Sequence, residues 1–207
     1  MRRAYETAGL DVADLAPTWH EQAERWIADA VEGGIGEPNA MTLATASADG
    51  VPSARTVLLK GLDARGLVWF TNLRSRKGRE AAENPRAAIT IAWVPLARQV
   101  LATGIVEPVS DEDSDAYFAS RPRGSQLGAV ASPQSEVVAS RAQLDELLAA
   151  AAARFPEGTP VQRPAHWGGL RLVPDAVEVW QGRPDRMHDR LRFRLTGEGW
   201  TVERLAP

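Results

Sequence analysis

The short connections between its strand-like segments constrain this chain most. Residues 39–72 contain three extended segments, "NAMTLATAS", "VPSARTVLLKGL" and "LVWFTN", separated only by the turns "ADG" and "DARG". A parallel crossover needs a dozen or more residues, so strands joined this closely must pair antiparallel. The sequence therefore argues against a doubly wound parallel sheet.

Short strands among a few helices continue to the end of the chain. Further strands are predicted in "RAAITIAWV", "RQVLATGIVEPV", "LRLVPDAVEVWQG" and the closing pair "RLRFRL" and "WTVERL". These strands, mostly linked as hairpins, predict a mainly β, α+β fold: an antiparallel barrel with helices packed outside it. Because no linker interrupts the pattern, we expect one domain over residues 1–207.

Helical periodicity and capping residues place four helices around this barrel. In "TWHEQAERWIADAVEGG" the apolar residues share one face, and the two glycines end the helix. That face is predicted to hold Trp19, Ala23, Trp26, Ile27, Ala30 and Val31. "SRKGREAAENP" is predicted as a short helix closed by Asn84, and Ser110 is predicted to cap "DEDSDAYFAS". Ser140 and Gln143 predict a capping box for "RAQLDELLAAAAARF".

Composition and charge exclude several classes of function. The 207 residues include no cysteine, which excludes disulfides, iron–sulfur clusters and cysteine-ligated zinc. The three histidines lack metal-ligand spacing, and no metal site is predicted. A net charge of −3 gives no bulk attraction to nucleic acid or to an anionic membrane. There is no signal-peptide pattern and no apolar run that could span a bilayer, so we expect a soluble cytoplasmic protein.

Basic and polar side chains recur within apolar segments. The segments concerned contain Arg55 and Lys60, Arg76 and Lys77, Gln99, Tyr117, Arg121 and Ser125, Gln134 and Ser135, and residues 186–190. Basic side chains among apolar residues need anionic partners, and arginine forks and helix-start amides suit phosphate. Two phosphate sites would account for two of these clusters. Each group taken alone is also compatible with ordinary surface charge.

Strand alternation predicts which of these side chains share a face. On "ARTVLLK", Lys60 is predicted to lie on the same face as Thr56, with Arg55 on the other. In "RMHDR", alternation predicts Arg186 and His188 on one face. The alternative for the second segment is a solvated basic edge strand without a functional role.

Taken together and in order, these segments resemble a known family. The motifs are "ARTVLLK", "FTNLRSRKGREAAENP", "RQVLATG", "YFASRPRGSQLGA", "SPQS", "VEVWQG", "RMHDR" and "ERLAP". They are similar to those of the pyridoxine/pyridoxamine 5′-phosphate oxidases, over nearly the whole chain. The resemblance implies a homodimeric split barrel with FMN at the subunit interface. It also implies oxidation of pyridoxamine or pyridoxine 5′-phosphate to pyridoxal 5′-phosphate, with O2 reoxidising the flavin to give H2O2.

The resemblance also assigns roles to individual residues. Its FMN positions match Arg55, Thr56, Val57, Leu58, Leu59, Lys60, Phe70, Thr71, Arg76, Lys77, Gln99, Gln134, Ser135, Trp180 and Arg190. Its substrate-phosphate positions match Lys60, Tyr117, Arg121 and Ser125. Arg186 and His188 match groups set against the substrate ring, where the reaction takes place. Arg2 and Tyr5 resemble part of a mobile N-terminal segment, within residues 1–17, that can close over the site.

Departures from the family pattern leave two alternatives to weigh. Met187 stands where leucine is usual, Val130 where many members have tryptophan, and Phe70 where tyrosine is common, while Arg123 has no assigned role. None of these changes removes a phosphate partner. One alternative is a phenazine-type flavin oxidase of the same fold, against which Lys60 and "RPRGSQ" argue. The other is a flavin-binding split barrel without turnover, in which the substrate residues need not persist.

Overall fold

Nine antiparallel strands form one sheet in residues 9–207, the part of the chain that this computed structural model describes. The strands are β1 (Ala40–Ala46), β2 (Pro52–Leu58), β3 (Gly61–Asp63), β4 (Gly66–Asn72), β5 (Arg86–Trp93), β6 (Arg98–Pro108), β7 (Trp167–Gln181), β8 (Asp189–Thr196) and β9 (Gly199–Leu205). The helices are α1 (Trp19–Glu32), α2 (Arg76–Glu83), α3 (Asp111–Ser120), α4 (Arg123–Ala131) and α5 (Arg141–Arg154).

Two residues join the strands at opposite ends of the main sheet. The strand order is β2-β1-β5-β6-β7-β4-β3, so β2 and β3 are the outer strands, and only Leu59 and Lys60 lie between them. The Lys60 amide donates to the Val68 carbonyl at 2.8 Å, which ties this link to β4. Because so short a link cannot cross a flat sheet, the sheet curls until its edges meet. This closure confirms the predicted antiparallel split barrel.

The long strand β7 connects the barrel to the final hairpin. It pairs with β6 along one edge, and along the other with β4 and then with β8. A bulge at Thr103/Gly104 falls between these halves, where Gly104 lies against the Val173 carbonyl. The two ends of β7 therefore belong to different surroundings: Trp167 faces β4, and Trp180 lies between β6 and β8.

Helix α1 buries an aromatic face against the barrel core. Trp19 and Trp26 are buried with Ala23 and Ala30, and Trp26 meets Trp93 edge to face at 6.4 Å. Val31 was predicted on this face but is 59% exposed. Gln22 is buried instead; its carbonyl oxygen accepts from the Ala16 amide and from Arg25, so a polar residue occupies a position that an apolar pattern does not identify.

A second, smaller apolar cluster holds α3 and α4 against the start of β7. Phe118, Val161 and Trp167 are its buried members, with Phe70 and Tyr117 packed at its edge. A predicted cofactor residue, Phe70, and a predicted substrate residue, Tyr117, therefore border one small core.

Three details of secondary structure differ from the predictions. The expected strand "VPSARTVLLKGL" is two strands, because the chain leaves β1 at Leu58 and joins β4 at Gly61. Helix α4 was not predicted, since Gly124 and Gly128 weaken its helical pattern. The Ser140 cap is present, but the Gln143 side chain bonds the Ala139 amide, so the predicted capping box is only half formed. The predicted Ser110 cap and the end of α2 at Asn84 are confirmed.

The predicted alternation across residues 186–188 is wrong. Strand β8 begins only at Asp189, and residues 184–186 form a 3-10 turn. Asp185 and Arg186 adopt positive φ values of 54° and 63°, so the backbone does not alternate here. "QGRPD" thus continues as a turn through Met187 rather than entering a strand.

The chain near its start packs on the final hairpin. Leu10 is buried, its amide donates to Asp189 at 3.0 Å, and its carbonyl accepts from Arg204 at 3.1 Å. The predicted contacts of Arg2 and Tyr5 lie outside the described residues. Among the helices of residues 9–207, none is long and apolar enough to cross a membrane.

The turn before β4 generates a prediction about barrel closure. Gly66 has φ +149°, and a Cβ built there would lie 2.0 Å from the Leu172 carbonyl oxygen. We expect Gly66→Ala to lower the free energy of unfolding by about 2–4 kcal/mol, because backbone must move to relieve the contact. Gly50→Ala is the matched control: Gly50 also has positive φ, but nothing lies within 4 Å of a Cβ there. Urea unfolding measures both, and equal losses would contradict the close-packing account.

Candidate functional site

A cavity of about 480 Å³ lies between the end of β2, β4, α2 and the α3–α4 corner. It brings together many of the predicted site residues: Thr56, Val57, Leu58, Lys60, Phe70, Thr71, Lys77, Tyr117, Arg121, Ser125 and Gln134. Its other lining residues are Asn72, Gly128, Ala129, Ser132 and Trp167. The cavity-lining side chains therefore include members of both predicted phosphate clusters.

The charge of this cavity is one-sided. Lys60, Lys77 and Arg121 line it, and none of the lining residues in the described part of the chain is acidic. Lys60 stands exposed at the mouth, and Lys77 is buried. Because buried cations without anionic neighbours are costly, a site built this way is suited to an anionic ligand.

Aromatic rings surround the guanidinium of Arg121. Its Cζ lies 4.8 Å from the Trp167 ring and 5.7 Å from the Phe118 ring. Its buried Nη1 has no hydrogen-bond partner among the described residues. Burial lowers the pKa of Arg121, only partly offset by Tyr117. The guanidinium is thus desolvated and directed at the cavity without a protein anion to neutralise it.

Three nearly parallel rings form the wall beneath Arg121. Phe70 stacks on Tyr117 at 4.0 Å and on Trp167 at 5.5 Å. Gly169 lies opposite Phe70 on β7, and a Cβ there would meet the Phe70 ring at 2.7 Å. The glycine therefore leaves room for the ring stack that shapes this side of the cavity.

Lys77 is held at the other side of the cavity by neutral oxygens. Its Nζ donates to Ser75 Oγ at 3.3 Å and to Gln134 Oε1 at 3.0 Å. Thr71 donates to the same Gln134 oxygen at 3.2 Å. Burial, followed by the positive charge of Arg55, lowers the pKa of Lys77 to about 8. An anion beside Lys77 would favour its charged form and so raise this pKa.

Glu80 on α2 organises the arginines behind Lys77. Its carboxylate accepts from Arg76 at 2.8 Å, from Arg55 at 3.3 Å, and from Thr45 and Ser53 at 2.5 Å each. Burial raises the pKa of Glu80, but these hydrogen bonds outweigh it and lower the pKa to about 2.

Arg55 and Thr56 follow the predicted alternation on β2: Thr56 lines the cavity, whereas Arg55 is directed towards Glu80. Lys60 also lines the cavity, but it lies in the link after β2, so strand alternation does not place it there. Glu80 was not singled out from the sequence, because a glutamate in an amphipathic helix is usually a surface residue.

A second group of predicted residues lies at the far end of β7. Gln99, Trp180 and Arg190 are direct neighbours across β6, β7 and β8. Arg190 forms a two-pronged ion pair with the buried Glu178, with distances of 2.7 and 2.9 Å. The His188 ring lies 4.8 Å from the Trp180 ring, and its Nδ1 accepts from the Arg183 amide.

These two groups are separate within one chain. Trp167 and Trp180 are thirteen positions apart on β7, which corresponds to about 40 Å of extended strand. None of the residues of the second group lines the cavity, nor does Arg186, which is exposed in its turn. Leu59 and Ser135 also lie off the cavity: Leu59 is buried in the core and Ser135 is exposed with φ 74°.

Arg123 binds backbone carbonyls rather than the cavity. Its guanidinium donates to the carbonyls of Phe155, Pro156 and Thr159 at 2.5, 2.9 and 2.6 Å. This ties the first turn of α4 to the loop after α5. Of the two arginines in "RPRG", only Arg121 lines the cavity.

Comparison with known families adds to this geometry. Residues 27–154 match the family described as "Pyridoxamine 5′-phosphate oxidase". Residues 167–207 match "Pyridoxine 5′-phosphate oxidase C-terminal dimerisation region". The second match covers all of β7, β8 and β9.

Similar proteins include curated relatives that extend over the whole chain. One from Frankia alni is 59% identical, and the match covers 100% of this chain and 87% of that relative. One from Saccharopolyspora erythraea is 55% identical, and the match covers 100% of this chain and 94% of that relative. Both are named "Pyridoxine/pyridoxamine 5′-phosphate oxidase".

Two solved structures show the same fold. PhzG from Burkholderia lata, in complex with tetrahydrophenazine-1-carboxylic acid, gives a TM-score of 0.91 at 30% identity over 99% of this chain and 100% of that one. An FMN-binding protein from Nostoc punctiforme gives a TM-score of 0.72 at 19% identity over 94% of this chain and 100% of that one.

The Glu80 network predicts an acid-dependent part of the stability. The pKa of Glu80 is lowered in the folded state, so its contribution is fully present above the ordinary value of 4.5 and is lost as pH falls towards 2. We expect Glu80→Gln to lower the free energy of unfolding by about 2 kcal/mol at neutral pH, with a smaller further loss on acidification than wild type. Glu83→Gln, an exposed change on the same helix, serves as control. Denaturant titrations at several pH values measure this, and parallel pH profiles for wild type and Glu80→Gln would contradict it.

Proposed function

The chain belongs to the pyridoxamine 5′-phosphate oxidase family, and from this premise we propose that it oxidises pyridoxamine and pyridoxine 5′-phosphate to pyridoxal 5′-phosphate. It is an enzyme of that family, since relatives more than half identical over its full length carry the oxidase name. The two matched regions share one sheet, and we propose that residues 1–207 act as one domain.

The observation that carries this proposal is the acid-free, basic cavity. It has one cationic wall at Lys77 and another at Arg121, with Lys60 at the mouth between strands β2 and β3. A phosphorylated cofactor and a phosphorylated substrate together require two anion sites at one cavity. The unpaired Nη1 of Arg121 and the neutral partners of Lys77 fit such ligands.

We propose that the flavin of this family is FMN here and that the α2 side of the cavity holds its phosphate. Lys77, Arg76 and Arg55 would provide the cations, and Gln134 already links Lys77 to Thr71. The backbone of residues 55–60, Phe70 and Ser135 would contact the rest of the cofactor. A terminal phosphate near three cations favours FMN over FAD, whose phosphates are bridged to a further nucleotide.

The substrate phosphate would bind at the α3–α4 corner. Arg121, Ser125 and Tyr117 belong to this corner, and Lys60 lines the same cavity from the link between β2 and β3. Anchoring the phosphate there fixes the ring and its C4′ carbon for reaction, which raises the effective concentration of the reacting groups. The two-electron oxidation itself is the chemistry that bound FMN supplies, with O2 reoxidising it to give H2O2.

We propose that the remaining site residues come from a second subunit. The chain contains the family's dimerisation region, and this region carries Trp180, His188 and Arg190. With Gln99 beside Trp180, they lie at the far end of β7 from the cavity of their own chain. A two-fold dimer that places this group over the partner's cavity would complete both sites at once.

The turn at residues 184–188 would then face the substrate ring. Arg186 is exposed on this turn, so its guanidinium is available to cover the ring and hold C4′ in place. His188 would bond near the ring or phosphate and assist proton loss from the alcohol substrate. Arg2 and Tyr5 are proposed to close over the same site.

A phenazine-type oxidase is the second candidate, favoured by the similarity to PhzG. Lys60, Arg121 and Ser125 weigh against it, because these cavity-lining residues would form a phosphate site that a carboxylated tricycle does not need. A flavin-binding barrel without turnover is weakened by the same residues.

One experiment tests the proposed function directly. Purified protein is reconstituted with FMN or FAD, the bound flavin is identified after denaturation, and H2O2 and pyridoxal 5′-phosphate are measured with pyridoxine 5′-phosphate or pyridoxamine 5′-phosphate. We expect FMN to be retained and both substrates to be oxidised, with unphosphorylated pyridoxine a poor substrate. Protein that takes up no FMN, or that oxidises pyridoxine as well as its phosphate, would overturn the proposal.

The lowered pKa of Lys77 predicts a pH dependence of cofactor binding. Lys77 has a pKa of about 8 without a ligand, and a phosphate beside it raises that pKa, so binding takes up a proton above pH 8. We expect the Kd for FMN to rise above about pH 8, by up to tenfold per pH unit while one proton is linked. Lys77→Arg retains its charge and is expected to bind FMN with a flatter profile. Fluorescence titration at several pH values measures this; a flat wild-type profile from pH 7 to 10 would refute it.

A further inference from the structure

Trp167 contacts several predicted site residues, although the sequence predicts no role for Trp167 itself. It is buried at the start of β7 and lines the cavity. Its ring stacks with Phe70 and Tyr117, meets Phe118 edge to face at 5.0 Å, and lies under the Arg121 guanidinium. The sequence pattern of a strand start gives no hint of these contacts.

The position of this ring is fixed independently of any ligand. The Trp167 carbonyl accepts from Arg163 at 2.7 Å, and Arg163 is itself paired with Asp111 and Asp115 of α3. The Trp167 amide donates to the Pro164 carbonyl. On its face away from solvent, the ring packs within the small core of Phe118 and Val161.

Arg121 depends on the Trp167 ring because it has little else to bind. Its buried Nη1 has no hydrogen-bond partner among the described residues, and burial lowers the pKa of Arg121, so no protein anion in this part of the chain stabilises the charge. A tryptophan face is the strongest aromatic partner for a desolvated guanidinium. Without the ring, the Arg121 side chain would turn towards solvent. Binding phosphate would then cost conformational entropy, because the side chain would have to be immobilised.

We propose that Trp167 is a positioning residue that holds the Arg121 guanidinium ready for the substrate phosphate, and so sets the preference for phosphorylated over unphosphorylated substrates. This inference rests on the proposed function for the identity of the substrate. The ring carries no charge of its own. In this proposal it therefore acts on an anionic ligand through Arg121.

The test compares Trp167→Leu, Trp167→Phe and wild type as FMN-loaded enzymes. For Trp167→Leu we expect KM for pyridoxine 5′-phosphate to rise about tenfold with kcat little changed, because a desolvated cation–π contact is lost. We expect kcat/KM for unphosphorylated pyridoxine to stay the same. Trp167→Phe keeps an aromatic face, so we expect its KM for pyridoxine 5′-phosphate to rise only about threefold. Trp19→Leu removes a similarly buried ring outside the cavity and should leave the substrate preference unchanged.

A double-mutant cycle separates positioning from general packing. If Trp167 acts through Arg121, adding Trp167→Leu to Arg121→Ala should cause no further loss of preference for the phosphorylated substrate. The same loss in both backgrounds, or equal losses on both substrates, would overturn the proposal. If Trp167→Leu does not fold, the cycle is run with Trp167→Phe. The proposal then requires that Trp167→Phe change the preference for the phosphorylated substrate at least twofold in chains that retain Arg121, and not in Arg121→Ala chains.

A binding measurement keeps this inference distinct from the proposed function. The Kd of inorganic phosphate and of pyridoxal 5′-phosphate is measured by calorimetry on the same FMN-loaded variants. The inference is supported if Trp167→Leu weakens the binding of both ligands in chains that retain Arg121 but not in Arg121→Ala chains. This holds even if neither phosphorylated substrate is oxidised, in which case only the proposed function fails. Unchanged phosphate binding by Trp167→Leu overturns the inference even in an active oxidase.

Discussion

The two-residue link between β2 and β3 is the constraint on which the barrel depends. It joins the outer strands of the main sheet, so the sheet must curl until β2 lies beside β4. That closure places Lys60, which occupies the link, at the mouth of the cavity. It also brings β2 and α2 to one side and the α3–α4 corner to the other. The same backbone path that completes the barrel thus sets two groups of cations around one cavity.

The cations at and behind that cavity are of two kinds: those paired with a carboxylate and those without an acidic partner among the described residues. Arg55 and Arg76 share the single carboxylate of Glu80, which keeps them in place and leaves the group with a net positive charge. Lys77 is buried and Arg121 is half-buried, neither has an acidic partner among the described residues, and burial lowers the pKa of each. Unpaired buried charge reduces stability, so the apoprotein carries a cost that an anionic ligand relieves. Cofactor and substrate binding are therefore expected to stabilise the fold as well as to enable the reaction.

Much of the fold could be predicted from the sequence because its signals are local. Short turns specified antiparallel pairing, and the caps at Ser110 and Asn84 were visible in the chain. The failures have physical causes of their own. Helix α4 is rich in glycine, and residues 185 and 186 have left-handed backbone that no alternation pattern reveals. Trp167 and Glu80 were missed because their importance lies in contacts between elements far apart in the sequence. The roles of individual site residues remain predictions that rest on resemblance and on this geometry.

We propose that each active site combines the cavity of one subunit with the Trp180 end of its partner's β7. Subunit complementation distinguishes this arrangement from a site within one chain: Arg121→Ala and Arg186→Ala chains, each expected to be nearly inactive alone, are co-expressed with different tags and the mixed dimer is isolated. If the site is shared, one site of the mixed dimer carries both substitutions and the other carries neither, so we expect about half of the wild-type activity per dimer. A mixed dimer as inactive as its parents would show that both residues serve the same chain's site and would rule out the shared arrangement.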